Sequence, residues 1–270
     1  MSDDMRPKIL TGLPAGTKAG GVRADFKPKM FDQALFQKGQ RVWWSRASLC
    51  PCSSPTSQAA PTCVRCHGQG WIYELPGPYL EGATKDSVGN PIEFSDDGLG
   101  VGIRVLITGL TKDEQIFEKF GTWIFSQAKA TPQAANRLSY RDSLTCRDQL
   151  LDITQLIDAS GNATIPVTGS RSLTGLWTPL AEVNILRSLA TDFRQGSDFQ
   201  LEDNGTITWI GTPPVAGTKI SLHGRFHPRW VILDHVFADR STWIKAKKSS
   251  EEFTELPQSS LIKLDFLVDA

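Results

Sequence analysis

Residues Phe193–Asp234 read FRQGSDFQLEDNGTITWIGTPPVAGTKISLHGRFHPRWVILD, and their alternation of apolar and polar side chains decides the fold class. Phe199 and Leu201 alternate with Gln200 and Glu202, and Ile207 and Trp209 alternate with Thr206 and Thr208, the period-two signature of strands with one buried face. The turn between them must keep both apolar pairs on one side. A two-residue Asn204-Gly205 turn would set Leu201 against Thr208, whereas a three-residue Asp203-Asn204-Gly205 loop sets Leu201 against Ile207 and Phe199 against Trp209. The spacing therefore predicts a hairpin with Gly205 in a left-handed bulge position. Beyond Pro213-Pro214, Ile220, Leu222, Gly224 and Phe226 line the inner face of the next strand, with Lys219, Ser221, His223, Arg225 and His227 on its outer face. After Pro228, Trp230–Leu233 is apolar on both sides and reads as a central strand.

The same texture extends toward the N-terminus. Val101, Ile103, Val105 and Ile107 share one face of a strand, and further strand candidates lie at Gly121–Ala130, Arg137–Cys146, Leu150–Ile157 and Trp177–Arg187. Thr111-Lys112-Asp113-Glu114 is a capping box that predicts a short helix ending at Gly121, and Phe31–Lys38 predicts a helical turn stopped by Gly39. Seven or more short strands at this spacing indicate a mainly β protein of barrel or sandwich domains with few short helices and extended terminal arms. The expected divisions are an extended N-terminal arm at 1–30, a cysteine-clip hairpin region at 31–97 and a β-domain with a short helix at 98–190. A hairpin and sheet region at 191–240 and a C-terminal arm or edge strand at 241–270 complete the chain.

The clip consists of Cys50-Pro51-Cys52, a ten-residue loop, and Cys63-Val64-Arg65-Cys66 followed by His67, Gly68 and Gly70. Two close cysteine pairs can bring four thiolates to one tetrahedral ion, so Cys50, Cys52, Cys63 and Cys66 are the expected ligands of a structural zinc. The first pair is a tighter C-x-C, in which Pro51 removes an amide that could have bonded a sulfur. His67 is an alternative ligand to its neighbouring thiolate, and two disulfides, free thiols or an iron–sulfur centre are the competing uses of the four cysteines. Arg41–Arg46 and Trp71–Glu74 read as strands entering and leaving the clip, which would cap their hairpin. The remaining cysteine, Cys146, is expected to pack as a small hydrophobe and points to a reducing environment.

Lys and Arg together number 29, as do Asp and Glu, so the net charge is +0 and no global basic field draws the chain onto nucleic acid. No signal-like N-terminus and no run of eighteen apolar residues is present, which leads to the expectation of a soluble protein made in a cytosol, without a membrane partner. Eight tryptophans favour protein association. Residues 1–30 are rich in Gly, Pro and Lys and cannot bury enough surface to fold alone. Enzyme signatures such as G-x-S-x-G, G-x-x-x-x-G-K-[ST], H-E-x-x-H or G-x-G-x-x-G opening a βα unit are missing. His223, Arg225 and His227 with Asp234, His235 and Asp239 form the weaker candidate for a second metal or hydrolytic site, against a solvated, positively charged sheet face. Lys245, Lys247 and Lys248 are answered by Glu251, Glu252 and Glu255.

Three stretches resemble the neck or head–tail connector proteins of tailed bacteriophages: LCPCSSPTSQAAPTCVRCHGQGWIY at Leu49–Tyr73, RLSYRDSLTC at Arg137–Cys146, and Phe193–Asp234. Within the last, Gly196-Ser197-Asp198-Phe199, Ile207-Thr208-Trp209 and the Pro214–Thr218 turn carry the likeness. The resemblance implies a non-enzymatic virion protein, assembled in the host cytoplasm, forming a homo-oligomeric ring between portal and tail. It implies portal, neck or tail partners, non-specific contact with DNA in a pore, and no small-molecule substrate. Leu261–Val268 alternates as a strand, either added to a neighbouring subunit's sheet edge or closing its own sheet. The alternative expectation is a zinc-dependent nucleic-acid-binding module, drawn from the Cys63–Gly70 knuckle with Arg41, Arg46 and Arg65 beside it.

Overall fold

A computed structural model of the chain describes residues 28–53, 59–60, 62–66, 69–77, 85, 91–109, 127–169, 173–237, 241–245, 251–255 and 257–267. It opens with α1 (Pro28–Lys38), followed by β1 (Gln40–Leu49), β2 (Trp71–Glu74), β3 (Val101–Gly109), β4 (Gln127–Pro132) and β5 (Ser143–Cys146). Seven further strands come next: β6 (Leu151–Asp158), β7 (Thr164–Ile165), β8 (Glu182–Arg187), β9 (Asp192–Phe193), β10 (Phe199–Leu201), β11 (Ile207–Trp209) and β12 (Lys219–Phe226). The chain closes with β13 (Arg229–Phe237), β14 (Ser241–Lys245), β15 (Glu251–Glu255), β16 (Ser259–Leu264) and a 3-10 turn at Asp265–Leu267.

Six strands form a closed ring in the order β1-β3-β4-β16-β13-β5, sealed because β1 pairs β5 through Val42–Ser45 as well as β3 through Gln40–Trp44. Closure gives each of the six strands a partner on both sides. Alternation supplies its filling: Val101, Ile103 and Val105 of β3 and Ala128 and Ala130 of β4 are buried, while the residues between them are partly exposed. The small alanines sit on a strand next to bulkier neighbours, as a narrow barrel requires. β2 continues β1 outside the ring, pairing Arg46–Leu49 with Trp71–Glu74.

Between β5 and β13 the chain inserts a sandwich built only from residues 151–226. One sheet runs β6-β12-β8-β9 and the other β10-β11-β7. Phe199 pairs Trp209 and Leu201 pairs Ile207, and Gly205 has φ of 76°, so the three-residue loop and its left-handed glycine are as the alternation predicts. The two sheets enclose Ile157, Leu186, Phe199, Ile207, Ile220 and Leu222, with Phe193 and Phe199 edge-on to Trp209 at 4.9 and 6.3 Å. One buried apolar cluster runs through barrel and sandwich. β13 is flanked by β5 and β16, the central position expected of Trp230–Leu233.

Three expectations are corrected. The divisions at 98, 190 and 240 do not follow the sheets, because β1, from the clip region, bonds β3 and β5, and residues 151–226 form the inserted unit across the boundary at 190. Within the segment 241–270 expected as a C-terminal arm or edge strand, β16 lies between β13 and β4, hydrogen-bonded on both sides, so Ser259–Leu264 takes the alternative of closing this chain's own sheet, while β14 and β15 pair with each other. The turn at Phe31–Lys38 is an eleven-residue helix beginning at Pro28, with Leu35 buried and Gly39 bonding back to Leu35. Residues 1–27, the capping-box helix at 111–121, the first part of the strand expected from 121, and Asp239, Lys247 and Lys248 lie outside the described residues. No helix among the described residues is long and apolar enough to cross a membrane.

Candidate metal centre

The clip is the connection that closes the β1–β2 hairpin, between Leu49 and Trp71. Leu49 pairs Trp71, and the next rung is the Cys50 amide donating to the Gly70 carbonyl at 2.8 Å, so the ladder itself delivers Cys50 opposite the end of the second cysteine pair. Ser53 N–H then closes a turn onto the Cys50 carbonyl at 2.8 Å and presents Cys52, and Cys63 N–H donates to Ala60 at 3.0 Å. Gly70 has φ of 79°, and a Cβ there would lie 2.9 Å from Ser53 Oγ, which bonds the Gly70 carbonyl at 3.2 Å. Only glycine fits both demands.

The four sulfur atoms converge within 4.8 Å of one another. Cys50 Sγ lies 3.7 Å from Cys63 Sγ and Cys52 Sγ 3.4 Å from Cys66 Sγ. A disulfide needs about 2.05 Å, and all five cysteines are free thiols. A tetrahedral ion with bonds of about 2.3 Å sets its sulfurs about 3.8 Å apart, close to the observed separations. The donor set thus fits a metal ion bound by four thiolates.

The local electrostatics favour thiolates at two positions. Cys63 is drawn down to about 6, first by the Cys66 and then by the Arg65 amide N–H groups that aim at its sulfur. Cys66 is buried, which works against its charged form, but the Gly70 N–H with the Cys52 and Cys50 thiols outweighs that and the opposing Cys63 contact, and brings it below the ordinary value. Cys52 is pushed up to about 12, first by its hydrogen bond with Cys66 and then by burial. Gly70 supplies the N–H-to-sulfur contact expected of the knuckle glycines, while Gly68 and His67 lie outside the described residues. Cys146 is buried in the barrel, its thiol bonded to Gln40 Oε1 at 3.4 Å and raised to about 11 by burial, apart from the centre.

The hairpin is anchored to the barrel by Asp142, a residue the sequence reading did not single out. Its carboxylate has no exposed surface and accepts from Trp44 Nε1 at 2.9 Å, Ala47 N–H at 3.0 Å and Ser139 N–H at 2.8 Å, with Arg46 Nη1 3.6 Å away. Burial first of all raises its pKa, against the pull of those donors. Beside it, Arg141 adopts a left-handed φ of 69° and lies over Trp71 and Tyr140, which meet edge-on at 5.8 Å. A polar residue three places after Ser139 and just before a strand was the signal available in the sequence.

The other candidates separate. His223 bonds Thr154 on the outer face of β12, whereas His227 lies past the strand end and lines a cavity. His235 Nδ1 meets Ser260 Oγ and Gln258 Nε2 at 2.9 and 3.0 Å. The expected positive face is locally neutralised: Arg225 pairs with Asp152 and Glu182 on the two flanking strands, and Lys219 pairs with Asp158. Near the clip, Arg41 is engaged with Asp148 and Arg46 with Asp142 and Ser139. No protein-family model matches the chain, and no curated protein matches it either.

Proposed function

We propose that the chain is a non-enzymatic structural subunit of a tailed-phage virion, forming a ring in the neck or head–tail connector and carrying one structural zinc ion. The observation that carries the zinc reading is the convergence of four cysteine sulfurs at the tip of the β1–β2 hairpin, with separations suited to a tetrahedral ion. Zinc is the ion chosen because four thiolates on two short turns are its usual structural donor set. Such a site is coordinatively closed and leaves no position for water or substrate, which favours a structural role over catalysis. The neck assignment rests on the resemblance of Leu49–Tyr73, Arg137–Cys146 and Phe193–Asp234, and on a neutral, tryptophan-rich composition suited to association.

In this reading the ion holds the hairpin as a rigid projection on the barrel, and neighbouring subunits, portal or tail proteins contact the projection or the sandwich. A ring requires two different faces on each subunit to meet. Native mass spectrometry of the purified chain, alone and mixed with portal or tail proteins, is the test. Ring-sized multimers or a complex with either partner support the assignment, and a strict monomer that joins neither refutes it. Elemental analysis of the same sample separates the two parts of the proposal, since it reports zinc whatever the assembly state.

A further inference from the structure

A cavity of ≈ 910 Å³ opens where the barrel end, the clip loop and the inserted sandwich meet, and the metal centre makes no use of it. Thr145, Arg229 and Asp265 come from the barrel side, Gln69 from the clip, and Trp177 and Asn204 from the sandwich. The volume lies in the range of roughly 300–1,000 Å³ typical of clefts that hold a compact ligand.

Its chemistry narrows the ligand class. The lining holds Glu202, Asp203 and Asp265 against one Arg229, three negative charges to one positive, a formal −2. Arg229 lies over Tyr73 at 4.4 Å, and its Nε, which has no hydrogen-bond partner among the described residues, is 3.5 Å from Asp265, so the one guanidinium of the lining is already opposed by a carboxylate. Among the described residues only the four clip cysteines cluster as metal donors, so the cavity carboxylates do not converge on a cation. With that guanidinium opposed and no carboxylate cluster for a metal ion, the aromatic and amide groups of the lining point to a polar ligand with an apolar face.

The lining suits such a ligand in detail. Trp177 is half-buried and stacks on Phe266 at 6.1 Å and 26°, and Phe226 meets Phe266 edge-on at 5.7 Å, so the aromatic platform is held within a cluster of rings. Around it stand the amides of Gln69, Gln195 and Asn204, each with both donor and acceptor capacity. The Asn204 oxygen holds the hairpin turn through Thr206 N–H at 3.0 Å and Thr206 Oγ1 at 2.6 Å, which leaves its NH2 as the group to offer a ligand. A pyranose ring has this same double character: C–H groups on its faces that pack on an aromatic ring, and hydroxyls around its edge that both donate and accept. We propose that the cavity is a binding site for a neutral saccharide of a few rings.

The test is saturation-transfer NMR on the full-length chain with maltotriose, cellotriose and triacetylchitotriose as probes, and triglycine and inorganic phosphate as comparison ligands. At least one trisaccharide is expected to bind, and Trp177→Ala to weaken it on the order of tenfold or more through loss of the stacking surface. Leu189→Ala, at a fully exposed position outside the lining, is expected to leave affinity unchanged. Because Trp177 packs on Phe266, the exposed Gln195 gives a second variant that keeps the fold: Gln195→Ala is expected to weaken binding about fivefold, one hydrogen bond's worth. Failure of all three trisaccharides at millimolar concentration overturns the proposal. So does equal binding of triglycine, displacement by phosphate, or affinity that neither variant changes.

Discussion

Removing the Asp142 carboxylate should destabilise the protein more than any charge on its surface. Three N–H groups end on it, and Trp44, 1% exposed, cannot turn its indole to water when the acceptor is gone. Each donor stranded in the interior costs about 1–3 kcal/mol. Asp142→Ala strands three, but relieves the burial of a charge that now holds the carboxyl pKa up, so the net loss is about 3–5 kcal/mol. Asp142→Asn keeps one oxygen. Placed at the Oδ2 position, that oxygen retains Trp44 and Ser139 and loses only Ala47, for a loss of about 1–2 kcal/mol. Urea unfolding of the metal-loaded chain, with unchanged m, measures both. Adding Trp44→Phe closes a double-mutant cycle, and a coupling of about 1–2 kcal/mol is expected because the phenyl ring no longer has a donor to strand. Loss below about 1 kcal/mol for Asp142→Ala, or no coupling to Trp44, would show that the buried carboxylate does not hold the hairpin.

Purified protein should carry one zinc per chain by elemental analysis, and Cys63→Ser should lose it together with near-ultraviolet signal from Trp71, whose strand leaves the clip; full metal content in the variant would contradict the assigned ligands. Gly205→Ala should cost about 2–4 kcal/mol, because the residue sits at φ of 76° and a Cβ would lie 2.6 Å from Leu180 N and Pro179 Cβ; a melting temperature within a degree of the parent would refute that packing. Cys146 is raised from 9.0 in the unfolded chain to about 11 by burial, so its contribution is fully present below pH 9 and is lost as pH rises through 11. Stability measured between pH 8 and 11 should fall by up to about 3 kcal/mol from this group, and Cys146→Ala should flatten that alkaline loss; an identical slope in the variant would argue against it.

Local pattern was enough wherever a face is chosen by period two and a turn by its glycine. The Leu201–Ile207 and Phe199–Trp209 pairs, the left-handed Gly205, the central place of Trp230–Leu233 and the pairing of Trp71–Glu74 with the strand before the clip all follow from residues close together in sequence. The four cysteines were legible for the same reason: their ligand chemistry depends on spacing along two short turns. Partners distant in the chain had no such signature. That β1 closes the barrel on β5, about a hundred residues away, and that β16 enters between β4 and β13, depends on which ladders lie free when the strands collapse, a choice that alternation alone does not encode. Asp142 likewise became visible only when folding buried it beneath Trp44 and Ala47, since a carboxylate acquires a structural role from the donors that surround it. The cavity belongs to the tertiary structure altogether, because its walls come from the clip, the barrel and the sandwich, and concavity is a property of how those units meet.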